Sequence, residues 1–161
     1  MLDIVPAHCS SEHPWFVESR SSTTNSKSDW FHWAEPKEDG SAPTNWLSFF
    51  GGQAWTWEPR RQQYYLHNFL PEQPNLNYAN PAVLEEFNQI AKFWFDRGVD
   101  GFRLDAVHTI NANSFPYKDN PANPKFKLGP LPQDQQPFFR QLHDAAPVSY
   151  THLRAHETKA N

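Results

Sequence analysis

Cysteine is nearly missing from this 161-residue chain. The single Cys9 has no partner in the chain, so nothing argues for a disulfide scaffold or an oxidising compartment. Methionine also occurs once and glycine six times, against fifteen prolines. Those proportions exclude a helical bundle and a disordered tail, and describe structured loops. No apolar run approaches the ~20 residues of a membrane-spanning helix, and no signal peptide precedes the first motif. Charge of one sign is not in surplus either. A formal net charge of −4 leaves no electrostatic footprint for nucleic acid or an anionic membrane. The chain reads as soluble and cytoplasmic, with neither nucleic acid nor membrane as a partner. What it does have is aromatic: seven Trp and thirteen Phe compensate for a low apolar fraction, in a length sufficient for one domain with a core.

Four stretches follow one another. Leu2-Asp3-Ile4-Val5-Pro6 reads as a short buried strand. Residues 9–78 are irregular, with Pro, Gly and aromatic clusters and weak strand signals such as Gln63-Tyr64-Tyr65-Leu66-His67. That is too long for a βα connection, which usually takes ~2–6 residues, so an inserted subdomain is expected. Asn80 as N-cap and Pro81 at the first helical position then open a helix expected over 81–97. Val83, Leu84, Phe87, Ile90, Ala91 and Trp94 form its apolar face, and Gly98 stops it. A strand is predicted over Val99–Ala106, parallel to the first, with Phe102, Leu104 and Ala106 alternating against Arg103 and Asp105. A Pro- and Asn-rich loop at 111–134 and a helix start around 134–146 complete an α/β grammar. Trp30, Trp33, Trp46, Trp55 and Trp57 are expected to form the core of the inserted part rather than a sugar-stacking surface.

The sharpest chemical feature is Gly101-Phe102-Arg103-Leu104-Asp105-Ala106. A carboxylate at the C-terminal end of a parallel strand lies at the mouth of a sheet or barrel, where active sites form. Arg103, two residues earlier on the same face, can keep Asp105 ionised and oriented, as a glycosidase nucleophile requires. The hexapeptide alone is equally compatible with an ordinary ion pair capping a strand.

Further segments resemble glycoside hydrolase family 13, the α-amylase superfamily, in its α-glucosidase and oligo-1,6-glucosidase branch. Asp3-Ile4-Val5-Pro6-Ala7-His8 looks like the signature ending barrel strand three, continued by Cys9-Ser10-Ser11-Glu12-His13-Pro14-Trp15-Phe16. Gln73-Pro74-Asn75-Leu76-Asn77 is similar to the signature closing the inserted domain, and residues 101–106 to the strand-four signature. The resemblance implies a (β/α)8 barrel segment: strand three at 1–8, inserted domain B at 9–78, and helix three to the start of helix four at 79–146. It implies Asp105 as nucleophile, Arg103 as its orienting partner, His8 as a ligand of the non-reducing glucose, and Asp3 as a carboxylate supporting His8. Substrates would be maltose and maltooligosaccharides.

Two departures from the family pattern stand out. Ala7 replaces an Asn that ligates calcium in many amylases, and a methyl cannot coordinate a hard cation, so no metal or other cofactor is expected. Asn75 replaces an Asp. Small side chains at the position of Ala106 accompany α-1,4 preference in the resembled family, although simple packing explains Ala106 almost as well. The family's acid is a Glu on the next strand, absent here, since Asp119, Asp134, Asp144 and Glu157 do not end strands. Residues 147–161 read as a non-native tail, Met1 as a start inside a longer gene, and the chain as a fragment inactive by itself. The alternatives are an oligo-1,6-glucosidase, a trehalose-isomerising or transglycosylating relative, and a non-catalytic barrel interaction subunit.

Overall fold

The computed structural model describes residues 1–110 and 116–119. In chain order the elements are β1 (Leu2–Ile4), α1 (Pro14–Ser21), β2 (Trp33–Ala34), β3 (Trp55–Glu58), β4 (Gln63–Leu66), α2 (Pro81–Phe95) and β5 (Phe102–Leu104), then a 3-10 turn at Val107–Thr109. The helix expected over 134–146, most of the loop before it and the tail at 147–161 lie outside the described residues.

β1 and β5 pair in parallel, with Leu2 opposite Phe102, Asp3 opposite Arg103 and Ile4 opposite Leu104. Everything between them in sequence leaves this pair and returns through α2. That helix starts as its sequence dictates: Asn80 Oδ1 accepts the Ala82 N–H at 3.0 Å, and Pro81 follows the cap. It ends at Phe95, two residues short of the expected 97, and Gly98 takes up the closing turn at φ +84°.

The buried row of α2 is Val83, Phe87, Ala91 and Phe95, not the stripe ending on Trp94, which stays 39% exposed. Spacing by four aims Phe95 at Phe102 of β5, ring centroids 5.0 Å apart and nearly edge to face. The C-terminal half of α2 thus joins Ala7, Phe102 and Ile110 in the core behind the parallel strands. Its N-terminal half, through Val83 and Phe87, packs with Phe16, Trp30, Phe31, Tyr65 and Leu76 of the 9–78 region. One helix therefore ties both parts together, each large buried side chain contributing roughly 1.5–3 kcal/mol.

Within 9–78 the strand signal at Gln63–Leu66 is β4, the centre of an antiparallel sheet with β2 and β3 on either side. Trp30, Trp46 and Trp55 are buried as core residues, whereas Trp33 is only half-buried and Trp57 is 40% exposed at the end of its strand. Arg61 fastens the loops around this sheet. Its guanidinium donates to the carbonyls of Ser19, Ser22 and Ser28 at 2.6, 2.8 and 2.8 Å, and lies over the Trp33 ring.

Both parallel strands are shorter than the alternation suggests. β5 stops at Leu104, because Ala106 turns into the left-handed region at φ 55°, ψ 22° and starts the 3-10 turn. Ala106 is therefore not a further inward position of a strand, and its methyl packs against the core behind β1 and β5. A left-handed alanine is strained by ~1–2 kcal/mol. Ala106→Gly is expected to raise stability by roughly 0.5–1 kcal/mol after the extra chain entropy of glycine is deducted. Denaturant unfolding measures this, and a loss of stability would mean that the methyl's packing outweighs the strain.

Candidate active site

The parallel register determines the first contact. Asp3 lies opposite Arg103, and Asp105 follows two residues later on the same side. Arg103 consequently bridges two carboxylates, with Nη1 3.1 Å from Asp3 Oδ2 and Nη2 3.4 Å from Asp105 Oδ1. All three side chains are about half exposed, so these pairs contribute little stability. Their effect is orientation: a planar guanidinium sets the direction of both carboxylates. The Asp105 N–H also donates to the Ile4 carbonyl at 2.9 Å, which ties the nucleophile candidate's backbone to β1.

Asp3 does not support His8 as the resemblance implies, because its carboxylate is turned to Arg103. Gln73 holds His8 instead. The Leu70 N–H bonds Gln73 Oε1 at 3.1 Å, which directs the Gln73 amide NH2 to Nε2 of His8 at 3.0 Å. His8 Nε2 is then the acceptor and Nδ1 carries the proton. Nδ1 is buried and has no partner among the described residues. Burial lowers the His8 pKa, and the negative Asp105 offsets part of that, so the imidazole is neutral at pH 7 while feeling the Asp105 charge.

Asn75, in the segment beside His8, is 1% exposed, and its Oδ1 accepts the Asn68 N–H at 2.8 Å. An amide makes that bond without burying a charge, which accounts locally for Asn where Asp is commoner. Ala7 is equally buried, its methyl inside the apolar cluster behind the strands, and it offers no donor to a cation.

Three residues that the sequence reading did not single out complete the site. His108, on the turn after Asp105, has its pKa lowered by burial and partly restored by Asp105, as His8 does. The His108 ring meets Phe49 at 5.5 Å, Phe49 stacks on Phe69 at 5.1 Å, and Phe69 meets His8 at 5.2 Å. The four rings form an arc whose two ends both interact with Asp105. Position three residues past Asp105 was the available clue to His108. Phe49 and Phe69 come from the irregular region, where no period marks them.

Two parallel strands joined through an insertion and a helix, with Asp3 and Arg103 paired across them and Asp105 just past the end of β5, belong to a segment of a (β/α)8 barrel. The chain belongs to the α-amylase family, whose catalytic domain matches residues 1–157. It is 56% identical over 122 residues to a probable α-glucosidase of Rhizobium meliloti (strain 1021), covering 76% of this chain and 22% of that one. It is 44% identical over 130 residues to an oligo-1,6-glucosidase of Heyndrickxia coagulans, covering 80% and 23%. Among solved structures, the α-glucosyl transfer enzyme XgtA superposes with a TM-score of 0.82 at 43% identity, over 90% of this chain and 30% of that one. The chain thus spans about a fifth of the length of these curated relatives.

Proposed function

We propose that this chain carries the nucleophile part of a retaining α-glucosidase acting on terminal α-linked glucose of small oligosaccharides such as maltose. The observation that carries this reading is Asp105 just past a strand's carboxyl end, paired with Arg103, with His8 and His108 at the two ends of a ring arc feeling its charge. The Asp105 carboxylate attacks the anomeric carbon, and the bond from that carbon to the leaving oxygen breaks. A general acid protonates that oxygen, and water then hydrolyses the glycosyl ester. His8 is a neutral polar group beside the same glucose. Arg103 and Asp3 hold Asp105 in its attacking direction.

The acid has to come from elsewhere in the barrel. Among the described residues, Asp3 is the carboxylate that shares Arg103 with Asp105, and it is already bound there. Asp119 is engaged with Lys37 and the Asn45 N–H. In this reading residues 9–78 are an inserted domain covering the mouth and residues 79–110 return to the barrel. An α-1,4 preference rests on the resemblance at Ala106 alone, since its methyl packs against the core behind β1 and β5. No described helix is long and apolar enough to cross a membrane.

A second outcome of the same chemistry is transfer, in which a sugar or alcohol replaces water on the glycosyl ester. The similarity to XgtA favours it as a minor activity. The test is a chimera: the matching segment of the Rhizobium meliloti relative is replaced by residues 2–110 of this chain. The chimera is expected to hydrolyse 4-nitrophenyl α-glucoside and maltose, while the 161-residue chain alone does not. Equal specific activity in the chain alone would show that one of its own carboxylates serves as acid.

A further inference from the structure

A second tie joins the segment after β5 to the antiparallel sheet. Tyr117 sits among rings of the 9–78 region, 5.1 Å from Trp55 and 6.0 Å from Trp46, both close to edge to face. Its hydroxyl shares a 2.9 Å hydrogen bond with Nδ1 of His32, a side chain only 5% exposed. Burial drives the His32 pKa down to about 4, so this partner is neutral at physiological pH. The next residue's carbonyl, on Lys118, accepts the Trp46 indole N–H at 2.9 Å. Asp119 then accepts the Asn45 backbone N–H at 2.9 Å and pairs with Lys37 at 3.3 Å. Three consecutive residues thus grip Asn45 and Trp46 through both side chain and backbone.

That grip lies at the root of the loop that carries Phe49. The loop closes on itself through Ala54 N–H to the Trp46 carbonyl at 2.9 Å and Ser48 N–H to the Gly52 carbonyl at 3.0 Å. Phe49 in turn touches His108, three residues past Asp105. Segment 45–49 therefore meets the residues after β5 at both ends: Phe49 against His108, and Asn45–Trp46 against Tyr117–Asp119. A loop fixed at its root and touching at its tip has a defined distance from the strand end. Without the root contacts the loop keeps the Phe49 N–H bond to the Asn68 carbonyl at 2.8 Å and the Ala54 tie to Trp46, but loses its link to the residues after β5.

We infer that Tyr117 and Asp119 are positioning residues, a clasp that fixes the Phe49 wall over Asp105. This deepens the glucosidase reading and rests on it for its catalytic consequence. The geometric consequence stands without it, because the distance from Phe49 to His108 is a property of the chain itself. The clasp acts on the site only through Phe49. Releasing it loosens the wall that packs on the sugar in ground and transition states alike, so it raises KM and spares kcat.

The test has two parts. In the 161-residue chain, the His108 imidazole resonances, shifted by the Phe49 ring, are followed by NMR. Asp119→Ala and Tyr117→Phe are expected to move them toward the positions of an unstacked histidine, while Lys92→Ala on the surface of α2 does not. His108 resonances unchanged by Asp119→Ala, a half-exposed site whose loss the fold survives, would overturn the clasp. In a chimera extended to residue 119, Asp119→Ala is expected to raise KM for 4-nitrophenyl α-glucoside about tenfold with kcat within about twofold. Asp119→Asn, which keeps the acceptor for Asn45, restores KM. An unchanged KM with an inactive Asp105→Asn control would remove the clasp and leave the glucosidase reading intact. Activity surviving Asp105→Asn would remove the glucosidase reading instead.

Discussion

Asp105→Asn in the active chimera is expected to lower kcat on the order of 10⁴-fold or more, the scale of loss when a nucleophile is removed. The amide is nearly isosteric and still accepts one hydrogen bond from Arg103, so the fold and the ground-state pocket persist. KM should therefore change far less than kcat. What disappears is the negative oxygen that forms the bond to the anomeric carbon, and no neighbouring group replaces it. Asp3 is held at the other side of the same guanidinium, 3.1 Å from Nη1. Substituting Arg103 by Lys should fall between wild type and Asp105→Asn, because a point charge cannot direct two carboxylates as a planar fork does. If Asp3→Asn cost as much as Asp105→Asn, the roles within the Asp3–Arg103–Asp105 group would need to be exchanged.

The second large effect is on stability. Arg61→Met should cost roughly 2–4 kcal/mol, since hydrogen bonds to a charged donor contribute ~1.5–3 kcal/mol and leave buried acceptors unpaired when removed. The acceptor set of Arg61 is unusual in that it contains no carboxylate. Its partners are the carbonyls of Ser19, Ser22 and Ser28 and the Gln63 side-chain oxygen at 2.6 Å. Burial lowers the Arg61 pKa to about 10, still far above neutrality, so the charge is retained where it works. Methionine keeps an apolar stem of similar reach, and removes the guanidinium from the Trp33 ring together with its hydrogen bonds. Chemical denaturation checks this, and a cost below about 0.5 kcal/mol would show that water satisfies those carbonyls.

The helix and the parallel pair were legible because each is locally self-consistent. Asn80, Pro81 and a four-residue apolar spacing point to one helix, and in β5 the exposed Arg103 is flanked by the more buried Phe102 and Leu104. Even there the last turn was misread. Phe95 and Trp94 are adjacent and equally apolar, and only the location of Phe102 decides which one is buried. α1 was not legible. Its apolar residues, Trp15, Phe16 and Val17, are consecutive rather than spaced, it buries only Phe16 and Ser19, and its cap is the imidazole of His13. β2 and β3 are two and four residues long, too short for alternation to register.

At the candidate site, Arg103, Asp105, Asp3 and His8 stand out in the sequence because they lie within two short signatures. The Arg103–Asp105 pair could be read from its two-residue spacing, but the partners of Asp3 and His8 could not. That Asp3 takes Arg103 and Gln73 takes His8 follows from the register of β1 against β5 and from the approach of residues 73–75 to residues 7–9. Sequence spacing contains neither fact. Ala106 shows the same limit, since strand alternation runs through it while the backbone turns left-handed there.

Trapping the covalent intermediate tests the central claim most directly. An active chimera is incubated with a 5-fluoro-α-glucosyl fluoride, whose anomeric fluoride leaves when a carboxylate attacks and whose ring fluorine slows hydrolysis of the resulting ester. Peptide mapping by mass spectrometry then locates the added fluoroglucosyl group. The account predicts one adduct, on Asp105, abolished in Asp105→Asn. An adduct on Asp3 or Asp119, or catalysis at full rate with Asp105 unlabelled and replaceable, would contradict it.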